Sequence, residues 1–452
     1  MAVQIAKDGY FEIEYTFQGA TGLDVQTPEN LLSDKASSAV SNFLLRNSEA
    51  RSRPVFRREF PAPPNSNPAL GQTSFLDVNS VWHTVLFTGG AAYQLAGNNQ
   101  KQNVSPWKYL GGPNLIAGNP VASQAFGQVL YYTNGGPVLG SWDGITAAPT
   151  ASNAGCPGAT SVAAIDVADA PTVVPGSTGP LSIGGLYLGE LNNSILLQNV
   201  VVLDNATNVL YQFPNRLWWS ANGIPTQWDP TINTSAGFND FLDVPDVFSG
   251  LMTIGIAGYL FRSNGITQFT PTGSAQTPFQ FDHLWASKKG IGDVFPWSLA
   301  QYGPSGFFAS TEQIYKMSVN SFNPIGGSAR DAIYADLASA SGNPIGAFLP
   351  NLGRGYIYPM YTLSIPLGNF TRHYQYSDEG NYWTPWDTKG LLITGAVENV
   401  WTGQLPSYGV PGVFPPAVSN GGTGMSGGGG MGSGTGGGSG GGSTNGRGSR
   451  TL

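Results

Sequence analysis

One pattern constrains this chain more than any other. It is an aromatic-rich strand, a hydroxyl residue, a glycine-bearing turn and a returning aromatic, met four times. The stretches are VLYYTNGGPVLGSWDG from Val129, RLWWSANGIPTQWDP from Arg216, YLFRSNGITQFTPT from Tyr259 and HYQYSDEGNYWTPWDT from His373. The hydroxyl is Thr133, Ser220, Ser263 or Ser377, and the glycine is Gly135, Gly223, Gly265 or Gly380. The returning aromatic is Trp142, Trp228, Phe269 or Trp383. Fainter copies begin at Ala91 (AAYQLAGNNQ) and Gly306 (GFFASTEQIYKMS). Gly and Asn supply the positive φ that tight hairpin turns need. Ser220 and Ser263 lie about 43 residues apart, and the step on to Ser310 is slightly longer. The interval from Thr133 to Ser220 is nearly double, which leaves room for one interrupted unit.

A recurrence of roughly 40–50 residues, each holding several short strands, is the mark of propeller blades. One four-stranded sheet alone cannot bury both faces, whereas blades packed radially bury both and leave few free edges. The expected fold is therefore all-β, a β-propeller of about six to eight blades, some irregular. The returning aromatics are expected at equivalent blade positions, packed between neighbouring blades. For the Arg216 stretch this predicts a positive φ at Gly223 and burial of Trp228 with Trp218 or Trp219. Exposure of Trp218 and Trp219 in a concave pocket would point instead to ligand stacking.

Composition agrees with short strands and many turns. The 452 residues include 63 Gly and 33 Pro, and aromatics reach 12%. Charged residues are 10%, against about 25% in an average soluble domain. So little charge suits a surface largely covered by partner subunits. The net charge of −7 argues against a basic nucleic-acid-binding face. Arg51, Arg53, Arg57 and Arg58 in RSRPVFRREF are the densest basic group, and they read as a solvated or interface strand.

Three regions are expected: an N-terminal arm with first strands (1–50), a propeller body (51–418) with a loop-like insertion at 146–180, and a Gly-rich tail (419–452). The tail has the composition of a flexible coil. Helical periodicity is confined to Ser33–Leu45 and Ser328–Ala340, the latter with Ile333, Tyr334 and Leu337 near one face. The opening MAVQIAKDGYFEIEYTF has no apolar core of a signal peptide. No run of about 18 apolar residues occurs, so no membrane-spanning segment is expected.

Chemistry-bearing motifs are scarce. Histidine occurs only at His83, His283 and His373. Cys156 is the single cysteine, without a partnering base nearby in sequence, and fits assembly in a reducing cytoplasm. Asp282 and His283, close to Trp285, are adjacent on a strand and so point to opposite faces. SDEGNYW (Ser377–Trp383) resembles the Asp-box turn of sialidase propellers, with Asp378, Gly380 and Trp383, although Ser377 is one residue out of register. A sialidase also needs an Arg triad, a Tyr nucleophile and an acidic partner, and nothing in the sequence groups Arg216, Arg262, Arg354 and Arg372. No catalytic residue, metal ligand or cofactor is assigned, and the chain is read as non-enzymatic. A glycan-binding propeller is the alternative, because Trp and Tyr rings stack on sugars and bases. A sialidase-like glycosidase stands third.

From Pro214 to Ser318 the order is PNRLWWSANGIPTQWDP, then AGFNDFLDVPDVFSGLMTIGIAGYLFRSNGITQFT, then KGIGDVFPWSLAQYGPSGFFASTEQIYKMS. This series resembles β-propeller virion proteins of tailed bacteriophages, which form the tail nozzle or head-to-tail closure of short-tailed phages. GLDVQTPENLLSDKASSAVSNFLLRNSEARSRPVF (Gly22–Phe56) is similar to the same family's opening, an extended arm reaching an R-x-RP strand that starts the propeller. The resemblance implies a homo-oligomeric ring of six copies below a tail adaptor protein, in the virion tail, made in the host cytoplasm. It also implies attached tail fibres or spikes and a conduit that closes on genomic DNA and guides its ejection. A net-acidic chain agrees with DNA sliding past, since a basic lining would grip phosphates.

Overall fold

The computed structural model describes residues 67–389 except 68, 96–106, 112–114, 117, 146–172, 243–245, 263–264, 284–290, 292–293, 320, 351–358 and 379–380, together with the backbone of short strands before residue 53. All belong to one compact unit, Met1–Pro415. The Gly-rich tail, Cys156, Trp285 and Arg354 lie outside the described residues.

The early strands are β1 (Val3–Ile5), β2 (Phe11–Ile13), β3 (Gly22–Leu23), β4 (Ala36–Ser37), β5 (Phe43–Arg46) and β6 (Glu49–Ser52). Within Ser33–Leu45, where a helix was expected, the described residues form β4 and the start of β5. Four-residue β5 satisfies its backbone by antiparallel pairing with β6, Phe43 opposite Ser52. A helix this short draws little stability from propensity alone, and tertiary pairing overrides it.

Six antiparallel meanders follow in chain order, and the fold is a six-bladed β-propeller. Blade 1 holds β7 (Ala69–Leu76), β8 (Trp82–Thr88), β9 (Ala91–Leu95) and β10 (Trp107–Gly111). Blade 2 has, among the described residues, three strands: β11 (Ala122–Phe126), β12 (Val129–Thr133) and β13 (Gly140–Trp142). Blade 3 comprises β14 (Leu181–Leu191), β15 (Ser194–Asp204), β16 (Val209–Trp219) and β17 (Gly237–Asp240). In blade 4 are β18 (Phe248–Ile254), β19 (Ala257–Arg262), β20 (Gly265–Pro271) and β21 (Phe279–His283). Blade 5 has β22 (Ala300–Tyr302), β23 (Ser305–Ala309), β24 (Ile314–Ser318) and β25 (Ser321–Pro324). Helix α1 (Arg330–Ala338) leads into blade 6, with β26 (Ile345–Pro350), β27 (Pro359–Leu367), β28 (Phe370–Ser377) and β29 (Tyr382–Lys389). This helix lies within the expected Ser328–Ala340, and it buries Ile333 and Leu337.

The first strands of successive blades adjoin: β7 with β11, β11 with β14, β14 with β18, and β22 with β26. Among the described residues the first blade strand starts at Ala69, and Arg53 and Pro54 of the R-x-RP segment lie outside them. Part of the long Thr133–Ser220 interval is taken up by the 11-residue strands β14 and β15. Val173 and Val174, at the end of the expected loop-like insertion, are buried in the blade 2–3 core rather than looped out.

Five apolar clusters join the blades in sequence. Leu70, Phe75, Phe87, Leu130 and Tyr132 bind blade 1 to blade 2. Tyr131, Leu139, Ile183, Leu197 and Trp218 bind blade 2 to blade 3. Leu196, Leu217, Trp219, Leu260 and Phe269 join blades 3 and 4. Tyr259, Phe261, Phe308 and Met317 join blades 4 and 5. Phe307, Ile314, Tyr361, Tyr376 and Trp383 join blades 5 and 6, with α1 packed on the same cluster. In blades 2 to 5 the strands alternate their side chains between two such seams, as the two-residue period of a β-strand requires.

Two glycines set how closely blades approach. A Cβ on Gly184 of β14 would meet the Gly136 backbone oxygen at 2.1 Å, and one on Gly346 of β26 would meet the Ser298 oxygen at 2.0 Å. At the first of these contacts the backbones also bond across the seam, Gly135 N to Gly185 O at 2.7 Å and Leu139 N to Ile183 O at 2.9 Å.

Candidate functional site

The Arg216 stretch is architecture. Gly223 has φ +71°, as expected. Trp218 and Trp228 are fully buried and Trp219 nearly so. Trp218 donates its indole N–H to the Trp228 carbonyl at 3.0 Å, and Trp228 donates to Pro225 O at 2.9 Å. The turn is fixed by Ala221 N to Gln227 O and Gly223 N to Asn193 O. No ring here faces solvent for a sugar to stack on.

All four returning aromatics lie in seams between blades: Trp142 in 1–2, Trp228 in 2–3, Phe269 in 3–4 and Trp383 in 5–6. Their blade positions, however, are not equivalent. Those at Val129 and Tyr259 sit on the second-to-third strand hairpin, and those at Arg216 and His373 on the third-to-fourth. Trp228 opens no strand, because the segment between β16 and β17 is a long turn. Both hairpins place an inward aromatic after a glycine turn, so their sequences converge. The recurring hydroxyl also has a role. Thr133 donates to Gly185 O of the next blade at 2.6 Å, and Ser220 Oγ accepts the Ile195 N–H at 2.9 Å.

The described arginines are each tied to a carboxylate. Arg216 grips Asp240, its cross-strand partner, through Nε and Nη2, both at 2.6 Å. Its guanidinium lies 3.9 Å from the Phe213 ring centre and 4.0 Å from that of Phe238. Arg262, also buried, meets Asp246 at 2.9 Å. Arg372 bonds its cross-strand partner Asp387 at 2.8 Å and Asp336 of α1 at 3.2 Å. The hydrogen bond to Asp387 holds the Arg372 guanidinium above its usual range. Planar bidentate pairing of this kind locks a guanidinium in place. Within the described residues these side chains brace separate blades and are not brought together.

In the hairpin that resembles an Asp-box, Trp383 donates to Ile325 O at 2.6 Å inside the 5–6 seam. Asp378 is exposed and pairs with Lys316 at 2.6 Å. Gly380 lies outside the described residues. Asp282 and His283 bond different partners: Gln280 reaches Asp282 at 3.5 Å, and Thr267 reaches His283 Nδ1 at 2.9 Å.

Three arrangements were not read from the sequence. First, His83 Nε2 meets Asp77 Oδ2 at 3.0 Å, and Gln94 Nε2 meets His83 Nδ1 at 2.7 Å, all under Phe75 and Trp142. The His83 hydrogen bond holds Asp77 below the usual carboxylate range. Both residues are buried. Second, Tyr374 donates to Asp336 at 2.5 Å, which locks α1 to blade 6, and burial then pushes the Tyr374 phenol up. Third, on one face of blade 6 Thr362, Ser364, His373, Gln375, Thr384 and Thr388 are buried beside Ile345, Met360, Tyr382 and Trp386, with His373 stacked on Trp386 at 3.7 Å. The alternation in YTLSIPL, TRHYQYS and TPWDT was legible as a strand signal, but which face would be dry was not.

Among the described residues no group of three or more His, Cys, Asp or Glu side chains is placed to hold a metal ion. No helix among them is long and apolar enough to cross a membrane. Exposed apolar side chains sit on turns at both ends of the blades. Val78, Val81 and Ile256 lie on first-to-second strand turns. Leu210, Leu242 and Val247 lie at the opposite end, the first at the start of β16 beside the second-to-third turn and the others in a blade connection.

No protein-family model matches the chain, and no curated protein does. Among solved structures it is similar to the computationally designed Ika8 protein, with 9% identity, 77% of this chain and 95% of that chain covered, and a TM-score of 0.33. It is similar to the AfRom2 CNH domain at 9% identity, covering 70% and 92%, with a TM-score of 0.30. It is also similar to the Aleuria aurantia lectin, seen with α-methyl-L-fucoside, at 13% identity, covering 75% and 97%, with a TM-score of 0.30.

Proposed function

We propose that this propeller is a structural protein of a phage virion, a subunit of the tail nozzle through which the genome leaves. The observation that carries the reading is the ordered series Pro214–Ser318. Its three stretches follow in order from the third strand of blade 3 to the third strand of blade 5. A resemblance that follows three consecutive blades in order is harder to reach by shared hairpin chemistry than scattered matches are. The state of the polar side chains supports the same reading. Arg216, Arg262, Arg372 and His83 are engaged with carboxylates of the blades and α1, as befits a scaffold. Apolar turns at both ends suit contacts with partners above and below.

On this reading the protein assembles as a ring, six copies below an adaptor, with fibres or spikes on its outside. Native mass spectrometry and negative-stain imaging of the protein with its tail neighbours test it. A ring seated on the adaptor is expected. A persistent monomer whose melting temperature rises with added sugars would overturn the reading in favour of a glycan-binding propeller.

A further inference from the structure

Among the described residues blade 3 differs from the other four-stranded blades: its third strand far outruns its fourth. β16 pairs with β15 from Val209 to Trp219, with one bulge, but with β17 only from Arg216 to Trp219. The outer edge of Val209–Phe213 therefore has no described strand beside it. In an antiparallel pair every second residue turns its N–H and C=O away from its partner, so this stretch offers unpaired backbone donors and acceptors at the surface. Val209 is 44% and Leu210 54% exposed, and Gln212 is exposed beside them. Pro214, which has no N–H, closes the stretch on the side of β17.

Such an edge is a template for strand addition, and proteins blunt their edges with charge or with shortness. The outer strands β10, β17, β21 and β29 carry Lys108, Asp240, Asp282 and Asp387. β13 has three residues and β25 four. Asn205–Asn215 contains no charged residue at all.

The sequence of the edge says what fits it. Two copies of VLYQF laid antiparallel about Tyr211 put Val209 opposite Phe213, Leu210 opposite Gln212 and Tyr211 opposite its own twin. No like charges meet, and the outward groups of one strand find their counterparts on the other. Tyr211 and Phe213 pack against the blade 2–3 cluster, and Val209 shares their side of the sheet. Pairing continues that apolar row across the junction with aromatic and β-branched neighbours, which favour one another across strands.

We propose that the outer edge of Val209–Phe213 pairs with the same edge of a second copy of this chain, joining two copies of blade 3 into one continuous sheet. Such a contact is isologous and two-fold. It is separate from the head-to-tail contacts of a ring, and it stands or falls independently of the tail-nozzle reading. So short a stretch makes a small interface, at the weak end of specific ones, and the pairing is reversible.

Sedimentation velocity of the full chain over a dilution series tests this. The unit present at low concentration, monomer or ring, is expected to double in mass as concentration rises. Leu210→Lys with Gln212→Lys sets like charges directly opposite one another and is expected to weaken the doubling by about tenfold. Leu210→Lys with Gln212→Glu sets opposite charges there and is expected to restore it. A wild type that does not double overturns the proposal. So does doubling unmoved by the two lysines, or a lysine–glutamate variant as weak as the two-lysine one. Hydrogen exchange on the wild type needs no substitution: amide protection over 209–213 is expected to grow with protein concentration, while that of β21 stays constant. Protection that does not grow overturns the proposal, and should the variants fail to fold, this measurement decides alone.

Discussion

At the scale of single residues, the buried charges separate into those that hold the fold and those that do not. Asp240→Ala strands the Arg216 guanidinium, which is 3% exposed, among Phe213, Trp218 and Phe238. Removing one partner of a buried pair costs about 3–5 kcal/mol, and urea unfolding of Asp240→Ala should show a loss near the lower end. Asp378→Ala, at the exposed Lys316 pair, should cost less than about 1 kcal/mol. Equal losses at the two sites would contradict this ranking. Asp204 carries the acid sensitivity. Backbone N–H groups of Thr178, Ala206 and Thr207 hold its carboxyl down to about 2. A depressed folded pKa stabilises above the unfolded value, about 3.9, and the gain is lost as pH falls from there toward 2. Between those limits the wild-type protein should lose more stability than Asp204→Asn does. Parallel curves for the two would remove Asp204 from the account.

Among the elements, the hairpins were the most legible part of the chain, and the reason is local. A glycine with positive φ followed by an inward aromatic is written in adjacent residues, so Gly223, Trp228 and Trp383 behave as expected. What lacked a glycine or depended on register was misread. The apolar spacing of Ser33–Leu45 suggested a helix, and Asn47–Ser48, between β5 and its partner β6, carries no glycine to signal a hairpin. The echoes were aligned as equivalent because a second-to-third and a third-to-fourth hairpin share the same turn chemistry. Arg216 and Arg262 were recognised as blade residues, yet their carboxylate partners emerged only with the strand register. The elements also depend on missing side chains. Gly184→Ala drives a methyl into the Gly136 carbonyl, and overpacking of this kind costs about 1–3 kcal/mol. Trp383→Ala removes a ring shared by blades 5 and 6 and should cost about 3–5 kcal/mol. Thermal melts of both variants check the order, with Trp383→Ala expected to melt lower.

For the whole molecule, stability is unevenly distributed. Among the described residues blades 2 to 5 each lie between two apolar seams, whereas blades 1 and 6 have one inter-blade seam each. Local opening follows low apolar contact, so amide exchange should be slowest in β14–β20 and fastest in blades 1 and 6. Uniform protection across the six blades would contradict this. The order of the strands has a further consequence. Every blade is one contiguous run of chain, with neighbours in space that are neighbours in sequence. A segment of that length can be duplicated, lost or replaced in a gene without rethreading the rest. Once copied, a blade diverges under the demands of the two seams it faces. The unit of such growth is the blade, not the hairpin echo, because the echoes fall at two different places within it.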